Sequence, residues 1–96
     1  MMKEETILID VRTPEEFSAG HYDGAINFEL SLMNEGSLPE IPKNSKVEVY
    51  CRSGGRAEMA KQILKQNGFE DVENIGGYEA YFIHNILISH NDHRHL

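Results

Sequence analysis

The chain has a single cysteine, few basic residues and no long apolar run, and each scarcity closes off a class of function. One cysteine makes an internal disulfide impossible and removes the thiolate pairs on which structural zinc sites are built. Lys and Arg number 9 against 16 Asp and Glu, for a formal net charge of −7. That balance argues against nucleic acid or an anionic membrane as a partner. No stretch approaches the roughly 20 apolar residues that a membrane helix requires. Internal repeats and low-complexity stretches are absent. Met1 to Asp10 holds no basic segment followed by an apolar core and a small-residue cleavage site, so no secretory leader is read there. The expected compartment is the cytoplasm, or the periplasm if a leader has been removed.

What remains is ordinary for one globular domain spanning residues 1–96: 40% apolar and 26% charged residues. A core over about 6–87 and a polar, frayed tail at 89–96 are expected. Thr6 to Asp10 reads as a strand buried on both faces. Thr13, Pro14 and Glu16 carry the signature of a capping box, and Gly20 ends that short helix. Ala25 to Phe28 reads as a short strand, Leu30 to Asn34 as a helical turn and Val47 to Tyr50 as a third strand. A loop from Cys51 to Gly55 follows. Ala60, Ile63 and Leu64 then repeat at helical spacing between Arg56 and Asn67, with Gly68 as the stop. Asp71 to Ile75 is a fourth strand, Gly76-Gly77 a turn, and Tyr78 to about Leu87 a last helix. Strands alternating with helices predict an α/β fold with a mainly parallel sheet covered on both faces.

The chemistry concentrates in Val49-Tyr50-Cys51-Arg52-Ser53-Gly54-Gly55-Arg56-Ala57. Here a strand ends, a tight loop follows and a helix begins. Backbone N–H groups of such a loop converge with the positive end of the helix dipole. Gly54 and Gly55 permit the turn, and Arg52 and Arg56 add positive charge on either side of the thiol. Each effect favours a thiolate, so Cys51 is a candidate nucleophile. The alternative, a small buried apolar residue, is the commoner fate of a lone cysteine, but not in a loop rich in Gly and Arg.

Asp10-Val11-Arg12, then Pro14 to Phe17, Gly20-His21 and Gly24 to Asn27 resemble the opening of a rhodanese domain. Cys51 to Arg56 resembles the rhodanese active-site loop, and Gly76-Gly77 the double glycine beyond the last strand. The match covers about Thr6 to Tyr81 and is nearest to small bacterial single-domain members. The resemblance implies a three-layer rhodanese-like fold and a thiosulfate sulfurtransferase with Cys51 as nucleophile. Arg52 and Arg56 would bind the donor, and the amides of Arg52, Ser53, Gly54, Gly55 and Arg56 would cradle the persulfide. Asp10 and Arg12 would support the loop as a structural ion pair. Cyanide or a thiol would accept the sulfur, with a partner protein as acceptor if the domain acts as a relay. Cofactors and metals are not expected, and the domain is expected to be a monomer. The loop from Cys51 to Arg56 has four intervening residues. In related phosphatases it is one residue longer, which counts against phosphatase or arsenate reductase chemistry here.

His21 is expected to pack structurally. His84, His90, His93 and His95 do not repeat with the spacing of a known metal site. Tyr81 stands where many rhodaneses carry Trp, a residue this chain lacks. The segment Ile83 to Leu96 departs from the family's pattern.

Overall fold

The structure, a computed structural model, describes residues 6–78. The elements in chain order are β1 (Thr6–Asp10), α1 (Pro14–Ala19), β2 (Ile26–Asn27), α2 (Leu30–Asn34), β3 (Lys46–Cys51), α3 (Gly55–Gln66) and β4 (Asp71–Gly77). The four strands form one sheet in the order β2-β1-β3-β4. Every neighbouring pair is parallel. The chain passes from β1 to one side, returns across it to β3, and leaves β3 toward the other side. At their C-terminal ends β1 and β3 therefore part company, and in open α/β sheets the crevice at such a reversal is where ligands bind.

The core follows from alternation along the strands. Ile9, Val47, Val49, Cys51 and Val72 meet Leu30 and Met33 of α2 and Ala57, Ala60 and Leu64 of α3 in one buried cluster. The small residues Ala57 and Ala60 let α3 lie close to the sheet. On the other face Tyr50 is fully buried, its ring against Tyr22 at 4.6 Å between centroids. The first strand is buried toward its end, at Ile9 and Asp10, while Ile7 and Leu8 are only half-buried. Among the described residues no helix is long and apolar enough to cross a membrane.

The capping box forms as its residues predict. Thr13 Oγ1 accepts from the Glu16 N–H at 3.2 Å, and Glu16 Oε1 accepts from the Thr13 N–H at 3.0 Å. Several boundaries differ by a residue or two from expectation, and two of the differences bear on the site. Cys51 is the last residue of β3, not the first of the loop. Gly76-Gly77 is not a free turn: a bulge lets β4 continue, so that Gly77 pairs with Cys51. An unpaired glycine pair looks like a turn in sequence, but here it keeps the strand narrow where the loop crosses it. Of the expected last helix only Tyr78 is described. Tyr81, the four C-terminal histidines and the tail lie outside the described residues.

Candidate active site

Cys51 ends a strand and sits beneath the loop that follows, with 1% of its surface exposed. Gly54 turns the chain into α3 with φ +101°, a left-handed conformation that costs any residue with a Cβ. The turn brings the Gly54 N–H to the Cys51 Sγ at 2.9 Å. Gly55 needs no such freedom: it is the first helical residue and a Cβ there meets nothing within 4 Å. The first-turn amides of α3, Gly55 and Arg56 among them, have no partner within the helix and form its positive end beside the sulfur. Arg52 and Ser53 are exposed on the rim of the loop.

The loop is clamped from β4. Asn74 Nδ2 donates to the Gly54 carbonyl at 3.2 Å and to Glu58 Oε1 at 3.0 Å, while Asn74 Oδ1 accepts from the Gly76 N–H at 2.9 Å. These bonds hold Glu58 ionised below its ordinary carboxylate range, Asn74 first and Gln62 next. Gly77 lies directly under the loop. A Cβ on it would run into the Arg52 carbonyl and come within 2.7 Å of Ser53 Cα.

Asp10 and Arg12 form a bidentate pair behind the site. Asp10 Oδ2 accepts from Arg12 Nη2 at 2.7 Å, and Oδ1 accepts from both the Arg12 N–H and Nε at 2.9 Å. Arg12 Nη2 also donates to the Gly20 carbonyl at 2.6 Å. Its guanidinium lies 4.8 Å from the Tyr78 ring centroid and 5.7 Å from that of Tyr50. Hydrogen bonding to Asp10 raises the Arg12 pKa further above its ordinary value, against the opposing effect of burial. Tyr50 Oη accepts from the Tyr22 N–H at 3.1 Å, and burial pushes its phenol up to about 12. Asn27 bridges the carbonyls of Asp10 and Arg12 at 3.0 and 2.9 Å, fixing the chain as it leaves β1.

Arg56 has a partner that local sequence does not reveal. Its Nη1 and Nη2 donate to Glu16 Oε1 and Oε2 at 2.8 and 3.1 Å, joining residues 40 apart. The carboxylate that caps α1 is thus the one that grips α3. Arg56 first, with the Thr13 N–H assisting, holds the Glu16 carboxyl down to about 2. Glu16 in turn raises Arg56, and the Cys51 side chain adds to this electrostatically. His21 stacks on Phe17 at 3.6 Å between ring centroids, and its Nδ1 lies 2.7 Å from the Phe17 carbonyl. Among the described residues no cluster of His, Cys, Asp and Glu has the makings of a metal site.

Glu16, Asn27, Asn74 and the close approach at Gly77 are the parts that sequence reasoning missed. Glu16 was legible only as a cap. Asn74 carries no local signal beyond standing two residues before the double glycine.

A thiol under a strand–loop–helix turn can attack an electrophilic sulfur and keep an anionic product in the same cradle. Several known proteins are similar to this chain. The model of the rhodanese-like domain matches residues 1–84. The thiosulfate sulfurtransferase PspE of Escherichia coli (strain K12) is 44% identical over 70 residues, covering 72% of this chain and 67% of that protein. A solved structure described as a rhodanese with anions from E. coli superposes with TM-score 0.67 at 39% identity, over 76% of this chain and 87% of that one. A tRNA uridine(34) hydroxylase of Bacillus cytotoxicus is 38% identical over 89 residues, covering 84% of this chain, which spans only 27% of that protein. The same kind of domain therefore occurs in proteins with different overall reactions. The chain belongs to the rhodanese-like domain family of sulfurtransferases.

Proposed function

We propose that the protein transfers sulfane sulfur from thiosulfate or a similar donor to cyanide or a thiol, through a persulfide on Cys51. The observation that carries this reading is the Gly54 N–H aimed at the Cys51 Sγ from 2.9 Å, at the start of α3. With thiosulfate, the Cys51 thiolate attacks the outer sulfur, the S–S bond of the donor breaks, and sulfite leaves with the bonding pair. The persulfide formed, Cys51–S–S⁻, keeps one negative charge, so the cradle serves both ends of the step. A thiolate or cyanide then attacks the terminal sulfur and regenerates the Cys51 thiolate. Similarity to PspE supports thiosulfate as a working donor. The exposed loop residues Arg52 and Ser53 meet the incoming donor, while Arg56 is paired with Glu16.

Intact-mass spectrometry after incubation with thiosulfate tests the reading. One added sulfur atom is expected, lost on adding cyanide and absent from Cys51→Ser, which should also abolish thiosulfate:cyanide transfer. Transfer retained by Cys51→Ser would overturn the mechanism. Transfer that is slow to cyanide but fast to a dithiol or protein thiol would identify the acceptor as a thiol. We also propose a cytoplasmic monomer, which sizing chromatography and cell fractionation test.

A further inference from the structure

Two of the three arginines around the site, Arg12 and Arg56, are compensated by carboxylates in the fold. Arg12 is committed to Asp10. Arg56 is committed to Glu16 in a two-point pairing in which the carboxylate occupies both fork nitrogens. Glu16 is itself fixed, because the Thr13 N–H and Oγ1 hold Oε1 at 3.0 and 3.3 Å. An oxyanion that sought those two Arg56 N–H positions would have to displace a carboxylate anchored from both sides, and one that used the remaining Arg56 N–H groups would still have the Glu16 charge beside it. Without displacement, a donor that reaches Arg56 meets a neutral pair instead of a guanidinium.

We propose that Glu16 sets the charge of the sulfur donor: by cancelling Arg56 it fits the Cys51 site to monoanionic sulfane donors, the organic thiosulfonates and persulfides, over dianionic thiosulfate. This rests on the persulfide reading of Cys51. The step balances for the monoanionic class as it does for thiosulfate. The Cys51 thiolate takes the outer sulfur of R–SO₂–S⁻, the donor S–S bond breaks, and a sulfinate R–SO₂⁻ leaves with the bonding pair. Two negative charges stand on each side. Thiosulfate brings one more charge to the same transition state, and Coulomb energy scales with that charge. A missing cation therefore penalises the dianion about twice as much, in free energy, as the monoanion.

The test is the ratio of kcat/KM for thiosulfate to kcat/KM for benzenethiosulfonate, at fixed ionic strength with cyanide as acceptor. Glu16→Gln keeps an oxygen for the Thr13 N–H, so the start of α1 is preserved. In that variant kcat/KM should rise about tenfold for thiosulfate and roughly threefold for the thiosulfonate, mainly through KM. In the double variant Glu16→Gln/Arg56→Gln both charges are gone, and the ratio should return to within about twofold of the parent. An unchanged ratio in a folded Glu16→Gln protein that still forms the persulfide would overturn the proposal. So would a ratio in the double variant that falls well below the parent's, because Arg56 would then bind the dianion directly. If Cys51 gains sulfur from neither donor, the persulfide reading itself fails, and the proposal with it.

Discussion

Two arginine–carboxylate pairs flank the Cys51 loop, both bidentate and different in setting. In the Asp10–Arg12 pair the side chains are 0% and 6% exposed. In the Glu16–Arg56 pair they are 27% and 35% exposed. The first joins residues two apart in sequence and is enclosed by the Gly20 carbonyl and the rings of Tyr50 and Tyr78. The second joins two helices at the mouth of the site. A buried pair is expensive to break because the surviving charge has no water to turn to. A half-exposed pair is cheap to break because water replaces the lost partner. The inner pair therefore belongs to the framework, while the outer one is free to be tuned for chemistry.

Breaking each pair should expose that difference. Arg12→Leu strands the Asp10 carboxylate in the interior and should cost about 3–5 kcal/mol of stability in urea unfolding, a large fraction of what a domain of this size has. A loss under about 1 kcal/mol would mean that the two pairs are equivalent. Glu16→Ala removes the side-chain half of the capping box and the Arg56 partner, and about 1–2 kcal/mol should go, with the protein still folded at room temperature. The smallest effect is the pH dependence of the outer pair. Glu16 has its pKa lowered from 4.5 to about 2, so its ionised form stabilises the fold. That contribution is complete above 4.5 and fades as pH falls toward about 2. The stability gap between the parent and Glu16→Gln should accordingly be flat near neutrality and close in acid. A gap that instead widened in acid would reverse the sign argued here.

The strands and helices were legible because their signals are local. Thr13 and Glu16 announce a capping box, Ala60 and Leu64 a buried helical face, and Val47 and Val49 a strand. Cys51 stood out by its Gly and Arg neighbours. What could not be read is what the topology brings together. Gly77 looks like half of a turn until the bulge in β4 sets it beside Cys51. Arg56 looks like an anion-binding cation until the fold delivers Glu16 to it from 40 residues away. Asn74 looks like an unremarkable strand residue until Gly54 and Glu58 are within reach of its amide. Sequence reasoning finds the residues that do chemistry by type, whereas the residues that hold them are found by where the chain returns.

The contact between Gly77 and the loop also bears on how such a domain can diverge. The Arg52 carbonyl and Ser53 Cα already rest on the one position of β4 with no room for a side chain. A loop lengthened by one residue between Cys51 and Arg56 has to swell outward, away from β4, and loses the Asn74 clamp on Gly54 as it does so. The size of the loop is thus tied to two residues of β4, Asn74 and Gly77, that lie 20 or more residues further along the chain. A single insertion in the loop is therefore expected to disturb the hold on Gly54, and with it the N–H aimed at Cys51, before it widens the cradle.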